Sequence, residues 1–372
     1  MPQITEKNRA IWQTLYNVVD ELQALKPWTW MYEDMVFAIQ SPYSNNIGYC
    51  SIMGNAGEHY ALAIYLNQSG LDTFLDMREA GMYNEEHSFE YMKQLAMFEQ
   101  HCYMVSFETK KYITEDDEET IKQLNRSYKP RTRRPQIRYH EPYYVPWYLL
   151  DKQAEELTVF IEQCIVVLKM VQKNPNFLPQ TIDTDVFYTR LPQKTANGIT
   201  WTEEWIDAFE KEDDDDQEEN IPNAANASGV FKLVDSKRIE SLKKSVPSKD
   251  VALIMAMCPI PSPLTSENEN KPFYPQLIFC INYETGEALM TTESMETSIL
   301  SPAQLANDFD KIFFAQLNNL GYIPSQIIVN QEDIENLLMA PCRALGIELI
   351  YDDEDDKMMA VDFFIAQMNM LM

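Results

Sequence analysis

The chain reads as an α+β protein in two parts, an N-terminal antiparallel meander with helices and a C-terminal mixed sheet flanked by helices. Three observations predict this. Short apolar runs separated by Asn/Gly clusters recur between residues 35 and 66, the pattern of hairpin-linked strands. Beyond residue 250, strand-like runs alternate with helical stripes bounded by good caps. Between them lies EDDDDQEE (212–219), a block of like charge without periodicity, which solvates rather than packs. The expected division is an N-terminal domain over 1–173, a connection over 174–228 and a C-terminal domain over 229–372.

Residues 4–25 place Ile11, Leu15, Val18, Leu22 and Leu25 on one helical face. Strands follow at 35–39, 49–53 and 59–66, joined by Asn45-Asn46-Ile47-Gly48 and Gly54-Asn55-Ala56-Gly57, which supply the positive φ that hairpin turns need. A helix runs from Gly70 to near Gly81 and another over 85–98. A fourth strand covers 101–107 and a short polar helix 117–124. Residues 129–150, KPRTRRPQIRYHEPYYVPWYLL, form the one concentrated basic segment and the densest aromatic one. Its prolines (Pro130, Pro135, Pro142, Pro146) forbid helix and central strand, so an extended loop, ordered by itself or by a ligand, is expected. Residues 151–173 are apolar nearly all round and predict a buried helix. In the connection, 186–191 reads as a strand, and Trp201 and Trp205 flank a short helical start.

In the C-terminal part, 251–257, 276–282 and 287–292 read as strands, the last two turning at Thr285-Gly286. Ser301 is a good N-cap with Pro302 at the first helical position. Leu305, Phe309, Ile312, Phe313, Leu317 and Leu320 form the buried stripe, and Gly321 stops the helix. A strand at 326–330, a helix at 332–345, a strand at 347–351 and a helix at 357–370 complete the chain.

Composition narrows the function classes. With 58 Asp and Glu against 30 Lys and Arg, the net charge of -28 repels nucleic acid and anionic lipid. Only 10 Gly argue against Gly-rich phosphate loops. The six cysteines are scattered, mostly in apolar runs, and no Cys-x-x-Cys pair supplies zinc or redox ligands. Reduced core thiols are expected. The start lacks a basic end followed by an apolar run. The best candidate span, 157–171, is too short and carries Glu162, Gln163 and Lys169. A cytoplasmic protein with no membrane contact, no cofactor and no metal is expected.

The pieces GNAGEHYALAIY (54–65) and YHEPYYVPWYLL (139–150) resemble the Gly-x-x-Gly-Glu hairpin and Pro-Trp-x-Leu motif of an uncharacterised bacterial domain family. PQLIFCINYETGEAL (275–289) and PSQIIVNQEDIENLL (324–338) resemble a second domain of unknown function often fused to it. The resemblance spans most of the chain outside the acidic tract and implies kinship without a known activity. One departure is visible, Leu66-Asn67 where the family pattern has a Gly soon after Tyr65. The C-terminal strand order also resembles a ribonuclease-H-like fold, whose nucleases hold two metal ions on carboxylates at adjacent strand ends. Here those ends carry Asn282 and Asn330, with acid only at Asp352 and Asp353. That resemblance therefore implies the fold without its metal centre.

Four places can carry function. Arg131, Arg133, Arg134 and Arg138, with Tyr139, His140, Tyr143, Tyr144 and Trp147, can stack bases and hold phosphates. Equally, the arginines can pair with the chain's own surplus of acids while the aromatics pin the segment to the core. Glu58-His59 can act as an acid–base pair only if they converge, and strand neighbours point to opposite faces, so His59 needs Glu141, His140 or His101 from elsewhere. The acidic clusters 213–216 and 352–356 lack calcium-loop spacing and read as solvated charge. Met358, Met359, Met368, Met370 and Met372 suit a terminal helix packed on the sheet. No catalytic set is complete. The sequence points to a non-enzymatic interaction or regulatory protein, its unknown protein partner on the basic-aromatic segment and adjoining hairpin. The alternatives are a nucleic-acid-binding or nucleic-acid-processing protein using 126–148, and a small-molecule hydrolase or transferase centred on His59.

Overall fold

The structure is a computed structural model that describes residues 2–82, 86–179, 185–196, 198–209, 236–266, 271–287, 289 and 299–352. The chain forms two compact units, residues 1–213 and 214–372.

The first unit is built on seven strands: β1 (Phe37–Gln40), β2 (Ile47–Met53), β3 (Ala61–Leu66), β4 (Cys102–Glu108), β5 (Arg134–His140), β6 (Val186–Thr195) and β7 (Gly198–Asp207). Their order in the sheet is β5-β4-β3-β2-β1-β6-β7. The first three form the expected antiparallel meander, β4 and β5 extend it antiparallel, and β6 joins β1 in parallel. Helices α1 (Arg9–Leu25) and α5 (Asp151–Lys173) share one core with one sheet face. Strand alternation puts Cys50, Ile52, Leu62, Ile64, Val105 and Phe107 there, against Leu15, Leu22, Phe160 and Leu168. The other face carries Tyr49, Ala61, Ala63, Tyr65, Cys102 and Met104, packed with Leu71 and Phe74 of α2 (Asn67–Met82). Helices α3 (Glu86–Gln94) and α4 (Glu115–Gln123) complete the unit.

Two expectations are corrected here. Residues 129–150 are not all loop, because 134–140 form an edge strand; Pro135 is tolerated where one side of the strand needs no ladder donor. Residues 198–207 are a strand, not a helical start, and with β6 they draw much of the expected connection into the first sheet. Two tryptophans four apart share a face in a strand as well as in a helix, so their spacing could not decide.

The second unit has β8 (Ser248–Pro259), β9 (Gln276–Asn282), β10 (Ile299–Leu300), β11 (Ile323–Val329) and β12 (Glu348–Tyr351) in the order β10-β9-β8-β11-β12. β9 runs antiparallel to β8 and β10, while β8, β11 and β12 are parallel. The second sheet is thus mixed, as expected. With α6 (Ser236–Ser245), helices α7 (Pro302–Leu320) and α8 (Glu332–Leu345) flank it. Ser301 and Gln304 form a reciprocal capping box at the start of α7, and Gly321 ends it at φ 71°. Phe309, Phe313, Leu317, Ile334 and Leu338 cover Met255, Met257, Ile278 and Ile327. Most of the strand expected over 287–292, the acidic runs 213–216 and 353–356, the helix expected over 357–370 and the terminal methionines lie outside the described residues.

Candidate functional site

The basic-aromatic segment spends its charge internally. Arg138 meets Asp117 of α4 in a fork, Nη1 to Oδ1 at 2.8 Å and Nη2 to Oδ2 at 2.8 Å, and its guanidinium lies 4.4 Å from the Tyr148 ring centre. Thr114 Oγ1 and Gln136 Nε2 also donate to Asp117. Burial alone would raise the Asp117 pKa, but the Arg138 hydrogen bonds and charge outweigh it and hold the carboxyl below its usual range. Arg133 donates to the Phe107 carbonyl at 3.0 Å and stacks 4.4 Å from Tyr60. Arg134 lies 4.0 Å from Glu118, and Arg126 pairs with Asp20. Only Arg131 of the four candidate arginines is exposed, without an ion-pair or hydrogen-bond partner among the described residues.

The aromatics pin the segment. Tyr139 and Trp147 exchange backbone hydrogen bonds at 2.8 and 2.9 Å, closing 139–147 onto itself. Tyr143 adopts φ 64° and donates its N–H to the Phe98 carbonyl at 2.6 Å, while Tyr144 is buried. His140 is held neutral, its pKa lowered to about 4 by burial and by the Arg138 charge. A segment so tied offers few free groups to phosphates or bases.

His59 finds different partners from those expected. Its Nδ1 stands 3.4 Å from Glu108 Oε1 and its Nε2 3.2 Å from Ser106 Oγ, while Glu58 is exposed. Ser106 and Glu108 alternate along β4 and so share a face, which was readable from the sequence once β4 was placed. The arrangement has the order nucleophile, base and carboxylate. However, β4 is an interior strand paired on both sides at Ser106, so its neighbouring N–H groups serve the ladder and not an oxyanion.

A second polar chain runs from the surface inward. Exposed Ser69 Oγ lies 3.2 Å from His101 Nδ1, and His101 Nε2 lies 3.1 Å from Tyr139 OH. The adjacent Tyr103 OH donates to buried Glu156 of α5 at 2.9 Å, which also accepts from Ser44 at 2.6 Å. Burial pushes the Tyr139 hydroxyl up to about 12, with Cys102 and Glu156 adding to it. The β3–α2 junction that positions Ser69 explains the departure at Asn67. Asn67 takes φ 58°, the conformation a Gly would supply, and its side chain accepts from the Ile47 N–H at 3.0 Å. Three residues on, a Cβ at Gly70 would stand 2.6 Å from the His101 carbonyl, so α2 starts flush on β4 only with Gly there.

In the second unit, Asn282 Oδ1 is engaged by the Glu284 and Thr285 N–H groups, making it a turn former. The crevice at the carboxyl ends of β8 and β11 is where open sheets of this kind bind ligands. Gln331 occupies it, donating from Nε2 to the Met257 carbonyl at 3.0 Å and accepting the Met257 N–H on Oε1 at 2.8 Å. Among the described residues, no three His, Cys, Asp or Glu side chains group to hold a metal ion.

The edges of the first sheet differ. β5 is shielded by Pro135 and by the 139–147 closure. β7 is ten residues long, pairs with β6 in unbroken register and contains neither Pro nor Lys. Trp205 is 52% exposed, Ile199 41% and Phe209 beyond the strand 42%. Opposite Trp201 stands Pro192, which has no N–H, so that pair cannot exchange hydrogen bonds. The alternation then turns the backbone groups of Ile199, Trp201, Glu203, Trp205 and Asp207 outward, away from β6.

Fold and sites together define a two-part α+β protein, each part with its own mixed sheet. Residues 12–190 match the family model "Domain of unknown function (DUF7309)" and residues 238–369 match "Domain of unknown function (DUF6930)". The chain thus belongs to a two-part family of uncharacterised domains, and β7 lies between the two matched segments. No curated protein and no solved structure matches it. Among the described residues, no helix is long and apolar enough to cross a membrane.

Proposed function

We propose that this chain is a non-enzymatic, cytosolic interaction or regulatory protein that engages a protein partner through its first unit. The observation that carries this reading is the long edge of β7, which contains neither Pro nor Lys and exposes Trp205 and Ile199. A long edge with outward backbone groups invites another strand. The sequence placed the partner on the basic-aromatic segment and adjoining hairpin; of its candidate arginines all but Arg131 are engaged internally, which lends that position and the nucleic-acid alternative little support. Six buried cysteines fit a reducing compartment.

The test combines two measurements. Anisotropy with labelled single- and double-stranded DNA and RNA, at low salt with Mg²⁺, compares wild type with an Arg131/Arg133/Arg134→Ala variant, and gels check cleavage. Crosslinking mass spectrometry of the full chain in native lysate then maps protein contacts. The reading expects crosslinks on residues 186–209 and no salt-sensitive binding. Salt-sensitive binding lost in the variant, or cleavage of the probe, overturns it.

A second reading, a hydrolase centred on His59, is favoured by the Ser106–His59–Glu108 geometry. Covalent labelling of Ser106 by a fluorophosphonate, abolished in His59→Ala, would establish it; no labelling removes it.

A further inference from the structure

Resting on the interaction reading above, the edge itself specifies the chemistry of its partner. We infer that β7 accepts an extended, basic segment of another protein, which adds as an eighth strand to the first sheet. Strand addition needs three things: outward backbone groups, a free flank and side chains that select.

The outward groups offered to a partner are those of Ile199, Trp201, Glu203 and Trp205, fixed by the non-bonded pair at Pro192. Among the described residues the strand order ends at β7, with no further strand on its outer flank. The other sheet edges among the described residues do not compete. β10 has two residues and β12 four, and β5 carries Pro135 and is closed at 139–147.

Selection comes from the face that these four side chains share. Trp201 and Trp205 are partly packed on it, Trp201 5.8 Å from the Arg190 guanidinium and Trp205 5.7 Å from the Tyr188 ring. Their outer halves flank Glu203, whose side chain remains 42% exposed beside Arg190. Glu204 stands exposed on the opposite face, and the chain continues from β7 into the acidic tract 212–219. An incoming strand therefore meets aromatic platforms and Glu203, ion-paired with Arg190 at 2.5 Å yet partly exposed, along one face of a chain whose net charge is -28. Arg or Lys stems cover the rings while their charged ends meet the acids. The same charge decides against a second copy of this chain, since β7 against β7 would bring like carboxylates together across the seam.

The test uses the full-length protein and a fluorescein-labelled, capped peptide of four Arg-Val repeats. Two control peptides have Glu in place of Arg, or N-methyl groups on one backbone edge with the charge kept. Two variants probe the edge. Ile199→Pro removes one outward N–H and leaves the β6 pairing, and Trp205→Lys puts a gatekeeping cation on the rim. Circular dichroism and melting confirm that each variant is folded. The expected result is saturable binding, weakened at least tenfold by N-methylation and by either folded variant, and absent for the Glu peptide. Equal binding of the N-methylated peptide means charge alone, and overturns strand addition. A concentration-dependent dimer abolished by Ile199→Pro hands the edge to a second copy, and also overturns it. No peptide binding overturns it as well. Crosslinks to a protein outside 186–209 would then show that the chain still has a partner, whereas their absence with nucleic-acid binding removes the interaction reading too.

Discussion

Replacing Arg138 by Met tests whether the basic segment is structural. Arg138 and Asp117 are 13% and 6% exposed at their side chains, so the pair is largely removed from water. The substitution deletes two charge-assisted hydrogen bonds and leaves the carboxylate with Thr114 and Gln136 as donors. Stranding one member of a buried pair costs about 3–5 kcal/mol, and the remaining donors place this case near the lower figure, about 3 kcal/mol. Asp117→Asn strands the guanidinium instead, and the double variant costs less than the sum, with a coupling of about 2 kcal/mol. All six tryptophans lie between residues 12 and 205, so intrinsic fluorescence in urea follows the first unit alone. The pH dependence has a definite sign. The Asp117 carboxyl is held low in the folded state, so its contribution is present above the unfolded carboxylate pKa of about 3.9 and is lost as pH falls further. A coupling below about 0.5 kcal/mol at pH 7 would refute the reasoning. Arg138 would then be available to an outside anion, and the nucleic-acid reading would regain a ligand.

Three other outcomes are expected. His140, with its pKa lowered from 6.5 to about 4, binds a proton in the unfolded chain first, so stability falls as pH drops through that window. The loss is at most about 3 kcal/mol, and His140→Phe should flatten the slope of urea midpoint against pH; an unchanged slope refutes it. Gly70→Ala drives a methyl into the His101 carbonyl and should cost about 1–3 kcal/mol by tryptophan fluorescence, whereas a neutral result would mean that α2 shifts freely. Gln331→Leu orphans both backbone groups of Met257, at about 2 kcal/mol, and hydrogen exchange should accelerate at the Met257 amide while the first unit is untouched.

Local chemistry made much of the fold legible. The Asn/Gly clusters marked the meander, the apolar run marked α5, and Ser301-Pro302 with Gly321 marked both ends of α7. The strand at 198–207 was hidden because spacing by four serves two geometries, although its hairpin partner β6 was in part expected over 186–191. Pro135 was read as excluding a central strand and the segment was therefore expected as loop, although an edge position permits β5. The site residues divide similarly. The candidate arginines and aromatics were visible as types, but their partners Asp117, Phe107 and Trp147 depend on register. Ser106 and Glu108 were silent beside His59 because α2 and α3 separate β3 from β4 in sequence. Gln331 was silent too, since nothing in a lone glutamine says that it stands in for a peptide group.

The unlike edges of the first sheet set its valence. A sheet open at both sides is a link, able to take a strand on one flank and offer another, and links make filaments. This one is a terminus. With β5 closed by its own chain, and β7 the last strand among the described residues, the sheet can grow from one flank only. Even two copies meeting through β7 would end with both free sides used. The fold can thus keep a receptive backbone edge without becoming the repeating unit of a fibre.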